Sequence, residues 1–98
     1  MFEVIQSDHF QKWLSVLKDR RAKARIHTRL DRMAEGHFGD VKSLGNKLVE
    51  ARIDYGPGYR LYFMREGLSV ILLLVGGDKR TQQRDIDRAY AIMEIWRQ

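Results

Sequence analysis

Six apolar residues in a row, Val70 to Val75, end in Gly76-Gly77 and then in the charged stretch DKRTQQRD. A strand exposed on one side alternates apolar with polar residues. A continuous run of this length instead reads as a strand covered on both sides or central in its sheet. The run therefore calls for a sheet with this strand at its heart. The glycine pair removes side-chain bulk and permits an unusual backbone path. Lys79, Arg80 and Arg84 follow immediately, so the strand either ends in an ordinary solubilised turn or holds cations where a phosphate can sit.

The rest of the chain supplies that fold. The segment from Phe2 to Gln6 alternates like a short strand, and Ser7-Asp8 follows as a helix N-cap. Phe10, Trp13, Leu14 and Leu17 then recur at helical spacing. A second helix is expected from about Arg20 to Glu35, with Ala22, Ile26, Leu30 and Met33 on its core side and Gly36 as its stop. The stretch GHFGDVKSLGN reads as a loop. Strands are expected at Lys47–Tyr55, Tyr59–Arg65 and Leu68–Val75, joined by Gly56-Pro57-Gly58 and Glu66-Gly67. A last helix from about Thr81 carries Ile86, Ala89, Tyr90, Met93 and Trp96 on one face. The expected order is βααβββα in a single α+β domain spanning residues 1–98, with the helices on one face of a mostly antiparallel four-stranded sheet.

On that reading the other sheet face is wet. Arg60, Tyr62 and Met64 share one side of the middle strand, and Glu50, Arg52 and Asp54 share one side of the strand before it. Arg52, Arg60 and Tyr62 are expected to converge there, with Lys79 and Arg80 emerging beside them. The start of the last helix adds oriented amides.

The chain of 98 residues carries 18 Lys and Arg against 13 Asp and Glu, for a net charge of +5. That balance favours a polyanionic partner such as nucleic acid or an acidic protein. Arg20, Arg21, Lys23, Arg25, Arg29 and Arg32 make the second helix strongly basic, either as a solvated face or as an RNA- or ribosome-docking surface. The absence of cysteine removes thiolate metal sites and cysteine nucleophiles. His9, His27 and His37 have no paired spacing, and Asp85 with Asp87 reads as helix capping, so no metal site and no cofactor is expected. GGDK lacks the Walker A spacing. Without a secretory signal or a long apolar run, a cytoplasmic protein with no membrane role is expected.

Three stretches carry a family resemblance: FQKWLSVLKDRRAKARIHTRLDRMAEGHFGDVKSL, LVEARIDYGPGYRLYF and LLLVGGDKRTQQRDIDRA. Together they resemble the RelE/ParE toxin superfamily, and within it the HigB-like addiction module killer branch. The resemblance implies the toxin of a type II toxin–antitoxin pair whose partner is a small helix-turn-helix antitoxin, with a higher-order assembly of the two as a further possibility. RelE-like members cleave messenger RNA on the ribosome without a metal, inhibiting translation; ParE-like members poison DNA gyrase. Arg60 falls where RelE-type nucleases place a phosphate-contacting arginine, and Lys79-Arg80 on the basic pair after their last strand. The position of the catalytic tyrosine of some members falls near Ile86, and Arg52 is the cation nearest to their earlier lysines.

The candidate catalytic set is accordingly Arg60, Lys79, Arg80, Arg52 and Tyr62. Arg60, helped by Arg52 and Arg80, would stabilise the extra charge of the phosphorane, because arginine stays charged. Lys79 would transfer the proton, with Tyr62 as a second donor. Arg84, Lys47, Lys42, Arg21, Arg25 and Arg29 are candidate RNA- or ribosome-binding cations. Two alternatives stay open: a gyrase poison, and a non-catalytic binding module on the same fold.

Overall fold

The structure is a computed structural model and describes residues 1–97. Its elements are β1 (Glu3–Gln6), α1 (Asp8–Val16), α2 (Arg20–Ala34), β2 (Val41–Gly45), β3 (Leu48–Ile53), β4 (Tyr59–Glu66), β5 (Val70–Asp78), a single 3-10 turn (Lys79–Thr81) and α3 (Gln82–Arg97). The class is α+β, as expected. The sheet, however, has five strands in the order β1-β5-β4-β3-β2. β1 runs parallel to β5, and the remaining neighbours pair antiparallel.

The fifth strand lies in the stretch read as a loop. Val41, Lys42 and Ser43 are all exposed, so β2 shows no buried face by which to recognise it. It exists because a tight turn folds it onto β3, where Val41 meets Ala51 and Lys42 meets Glu50. Asn46 and Lys47 hold that turn with φ of 51° and 73°, the left-handed pair that suits a hairpin's twist.

The helix boundaries follow their caps. Ser7 Oγ accepts from the Phe10 amide at 3.0 Å and donates to the Leu74 carbonyl at 2.7 Å, which pins the start of α1 to β5. Asp19 Oδ1 accepts from the Arg21 and Ala22 amides at the start of α2. Gly36, at φ +90°, returns its amide to the Met33 carbonyl and closes that helix.

The helices do not share one face. α1 and α2 cover one side of the sheet, where Phe10, Leu14, Ile26 and Met33 pack on Ala51, Leu61, Phe63, Ile71 and Leu73. α3 covers the other, where Ala89 and Met93 pack on Leu48, Tyr62, Met64, Leu72 and Leu74. The face expected to be wet is a second core. This is why Val70–Val75 has no alternation: both of its sides are buried.

β5 also runs further than expected, through both glycines to Asp78. A bulge shifts its register between Tyr62 and Phe63 of β4, so Leu74 and Val75 both join the α3 core. Beyond it Gly76 faces α1 and Gly77 faces α3. A Cβ on Gly76 would run into the Trp13 ring, and one on Gly77 into the Asp85 carboxylate. Neither glycine has a positive φ. They are needed for close approach of the two helical layers, not for an unusual backbone path.

Candidate functional site

The pairing of β3 with β4 sets Arg52 directly opposite Arg60, and Arg60 opposite Gly77. Two guanidinium groups across a strand pair repel. Glu50, two residues before Arg52 on the same side of β3, resolves the conflict. Its carboxylate is fully buried. Arg52 Nε donates to Oε1 at 3.0 Å, and Gln82 Nε2, from the start of α3, donates to Oε2 at 2.9 Å. Arg60 Nε approaches Oε2 at 3.7 Å, an ion pair longer than a hydrogen bond. Burial by itself would raise the pKa of Glu50. The hydrogen bonds from Gln82 and Arg52 outweigh it and hold the carboxyl below its ordinary value.

These two arginines open onto a groove of about 320 Å³ lined by Asp40, Arg52, Asp54, Gly58, Arg60 and Lys79, among others. Gly58, at φ +81°, sits between the cations: a Cβ there would lie 3.4 Å from Arg60 Nη1 and 3.8 Å from Lys79 Cβ. Arg60 Nη1 also donates to the Gly58 carbonyl at 3.0 Å, so the turn fixes where the guanidinium lies. Asp40 and Asp54 are carboxylates of this groove; strand alternation places Asp54 on the side of Arg52 without marking it as a site residue, and Asp40 is not expected here at all. Asp54 directly follows β3, while Asp40 arrives only through pairing, its carbonyl accepting from the Arg52 amide at 2.9 Å. The groove thus offers two guanidinium groups and an ammonium for a phosphodiester, with carboxylates at hand as proton acceptors.

Other candidates fall outside it. Tyr62 is fully buried beneath α3, its hydroxyl makes no hydrogen bond among the described residues, and burial next to Glu50 pushes the phenol's pKa up. It is a core residue here and does not reach the groove. Arg80 is 80% exposed and turns back to Asp78, Nη2 to Oδ2 at 2.9 Å. Asp78 also accepts the Arg80 amide at 2.8 Å, so a carboxylate caps the turn whose amides were expected to be free for phosphate. Hydrogen bonding to Arg80 keeps the Asp78 carboxyl below its usual value.

Arg84 lines a different groove, between α1 and α3, with His9, Lys12 and Arg88. Arg88 Nη1 lies 2.8 Å from His9 Nε2, and burial followed by the charge of Arg88 lowers the histidine's pKa. Lys42 and Lys47 stand exposed on the β2–β3 hairpin. Arg21, Arg25 and Arg29 line a groove of about 560 Å³ along α2 that also includes Ile53 and Asp54. Those two residues line the Arg60 groove as well, so the two basic grooves are neighbours.

Within the α2 groove the arginines differ. Arg25 stacks over the Tyr55 ring at 4.5 Å. Arg29 donates to the Arg52 carbonyl at 2.9 Å, and burial lowers its pKa. Arg29 is therefore a structural tie between α2 and the end of β3, whereas Arg21 is exposed. Among the described residues no three His, Asp or Glu side chains are grouped to hold a metal ion, and no helix is long and apolar enough to cross a membrane.

No family model matches the chain. It is 49% identical over 80 residues to an uncharacterized protein of Haemophilus influenzae, a match covering 82% of this chain and 81% of that one. With identity that high over most of both chains, this protein belongs to the same family as that Haemophilus influenzae protein.

Proposed function

We propose that the protein is the toxin of a type II toxin–antitoxin system, of the RelE/ParE superfamily and nearest its HigB-like branch, and that it cleaves ribosome-bound messenger RNA without a metal. The observation that carries this reading is the groove in which Arg52, Arg60 and Lys79 meet. Cleavage through the 2′-OH needs a base for that hydroxyl, stabilisation of the phosphorane and a proton for the leaving 5′-oxygen. Arg60 and Arg52 supply the second, and Lys79 is the proton-transfer group, with Asp40 and Asp54 close by. The bases are weak, so the ribosome supplies much of the orientation and isolated RNA is cut poorly. The basic α2 groove supports docking on ribosomal RNA, and a helix-turn-helix antitoxin that neutralises the protein would cover the Arg60 groove.

A second reading, a gyrase poison that grips its target without catalysis, draws on the burial of Tyr62 and the pairing of Arg80, which leave few proton-transfer groups. Induced expression with transcript mapping separates the two. The nuclease reading expects transcript cleavage that falls by roughly 100-fold or more in Arg60→Ala and in Lys79→Ala. Growth arrest with intact transcripts and trapped gyrase–DNA complexes would establish the poison instead, and loss of toxicity altogether would leave a binding module.

A further inference from the structure

We propose that Glu50 is the positioning residue of the cationic groove: it weakens the groove's grip on a phosphodiester while fixing the direction in which Arg52 and Arg60 point. This deepens the nuclease reading and rests on it. A carboxylate with no exposed surface, in the core under α3, is a poor device for stability. Buried ion pairs are often no more stable than apolar side chains of the same volume. Its geometry serves orientation better. Glu50 engages Arg52 through Nε and faces Arg60 from the Nε side. Among the described residues, both Nη groups of Arg52 and Nη2 of Arg60 make no hydrogen bond, so the Arg52 fork and one Arg60 nitrogen stay available to phosphate oxygens. Gln82 holds the other carboxylate oxygen and so fixes the plane of the carboxylate from α3.

The charge acts in the opposite sense. An anion within 4 Å of each guanidinium offsets part of its attraction for a phosphate. Removing the charge while keeping the shape therefore tightens binding and slows turnover together. In Glu50→Gln the new amide has one acceptor oxygen where the carboxylate had two, so Arg52 and Gln82 cannot both be satisfied, and the forks lose their direction.

The test compares wild type, Glu50→Gln and Gln82→Ala as purified full-length chains. Three quantities are measured: affinity for an uncleavable 2′-O-methyl RNA oligonucleotide, kcat and KM on ribosome-bound message, and the arginine Nε–Hε signals in nitrogen-resolved NMR. For Glu50→Gln the oligonucleotide binds more tightly by roughly tenfold, and kcat falls by roughly 100-fold. The Arg52 Nε–Hε signal shifts and exchanges faster with solvent. Gln82→Ala keeps the Glu50 charge, so it leaves affinity unchanged while lowering kcat and moving the Arg52 signal by less, and those two readouts decide the matter should Glu50→Gln not fold. An unchanged Arg52 signal, or affinity and kcat falling together in a folded variant, overturns the proposal. Should wild type cut no message, the nuclease reading fails, while the affinity and NMR arms still decide whether Glu50 directs the arginines.

Discussion

Under α1 and α2 the sheet meets hydrocarbon throughout, from Phe10 and Met33 to Leu61 and Leu73. Under α3 the contact starts the same way at Met93 and Ala89, then changes character toward the start of the helix, where Glu50, Gln82 and Asp85 replace apolar side chains. The adjacent glycines of β5 show the contrast at closest range, one under an indole ring and the other under a carboxylate. One layer secures the fold, and the other gives up part of its core to a charged cluster that opens onto a groove. Polar groups buried in this way are retained where they hold something in place, since they stabilise little by themselves.

The largest effect should come from the hydrocarbon side. Phe10→Ala is expected to lower unfolding free energy by about 3–5 kcal/mol, read from urea denaturation. A loss below 1 kcal/mol would mean that the α1 layer is not the stabilising one. Gly76→Ala comes next, at roughly 2–3 kcal/mol, because the added methyl enters the Trp13 ring. Combining it with Trp13→Ala should recover part of that loss, and strict additivity would show that the ring is free to move aside.

The polar side is tested by acid. Glu50 has a folded pKa below its ordinary 4.5, so the stability it contributes is present above that value and is lost as pH falls through the lower folded one. The gap between the unfolding midpoints of wild type and Glu50→Gln should therefore narrow as the pH is taken from 7 to 3; a constant gap would break the assignment. The smallest effect is expected outside both layers. Lys47→Gly relieves a left-handed lysine in the β2–β3 turn and should raise stability by about 0.5–1 kcal/mol.

Much of this architecture was legible in the chain. The helices announced themselves through Ser7 and Gly36 at their ends and through apolar residues at helical spacing, whereas the Asp19 cap of α2 emerged only from the structure. The unbroken Val70–Val75 run correctly pointed to burial on both sides. What it did not show was which layer lay above, because the apolar stripe of α3 fits either face of a sheet. Placing all helices on one face made Glu50 and Tyr62 look solvated when both are buried. β2 was hidden because pairing, not side-chain burial, defines an edge strand whose residues face water. Of the site, the proximity of Arg52 and Arg60 followed from strand alternation, and that of Lys79 from its emergence at the end of the last strand beside them. Asp40 was beyond reach because it joins the groove only through β2. Arg80 was misjudged because the carboxylate two residues before it is the nearest partner for its charge.

The parallel pairing of β1 with β5 sets a schedule for the newborn chain. Residues 3–6 find their neighbours only at residues 70–73, so the first strand made is among the last to be seated. Contacts that far apart in sequence form late. A nascent fragment ending before Val70 would already contain Arg52 and Arg60 but would lack both the strand beside Arg60 and the lysine across from it. The cationic groove can close only once the chain has been synthesised through Lys79 and β5 has paired with β4, so a shorter fragment carries its arginines without their site.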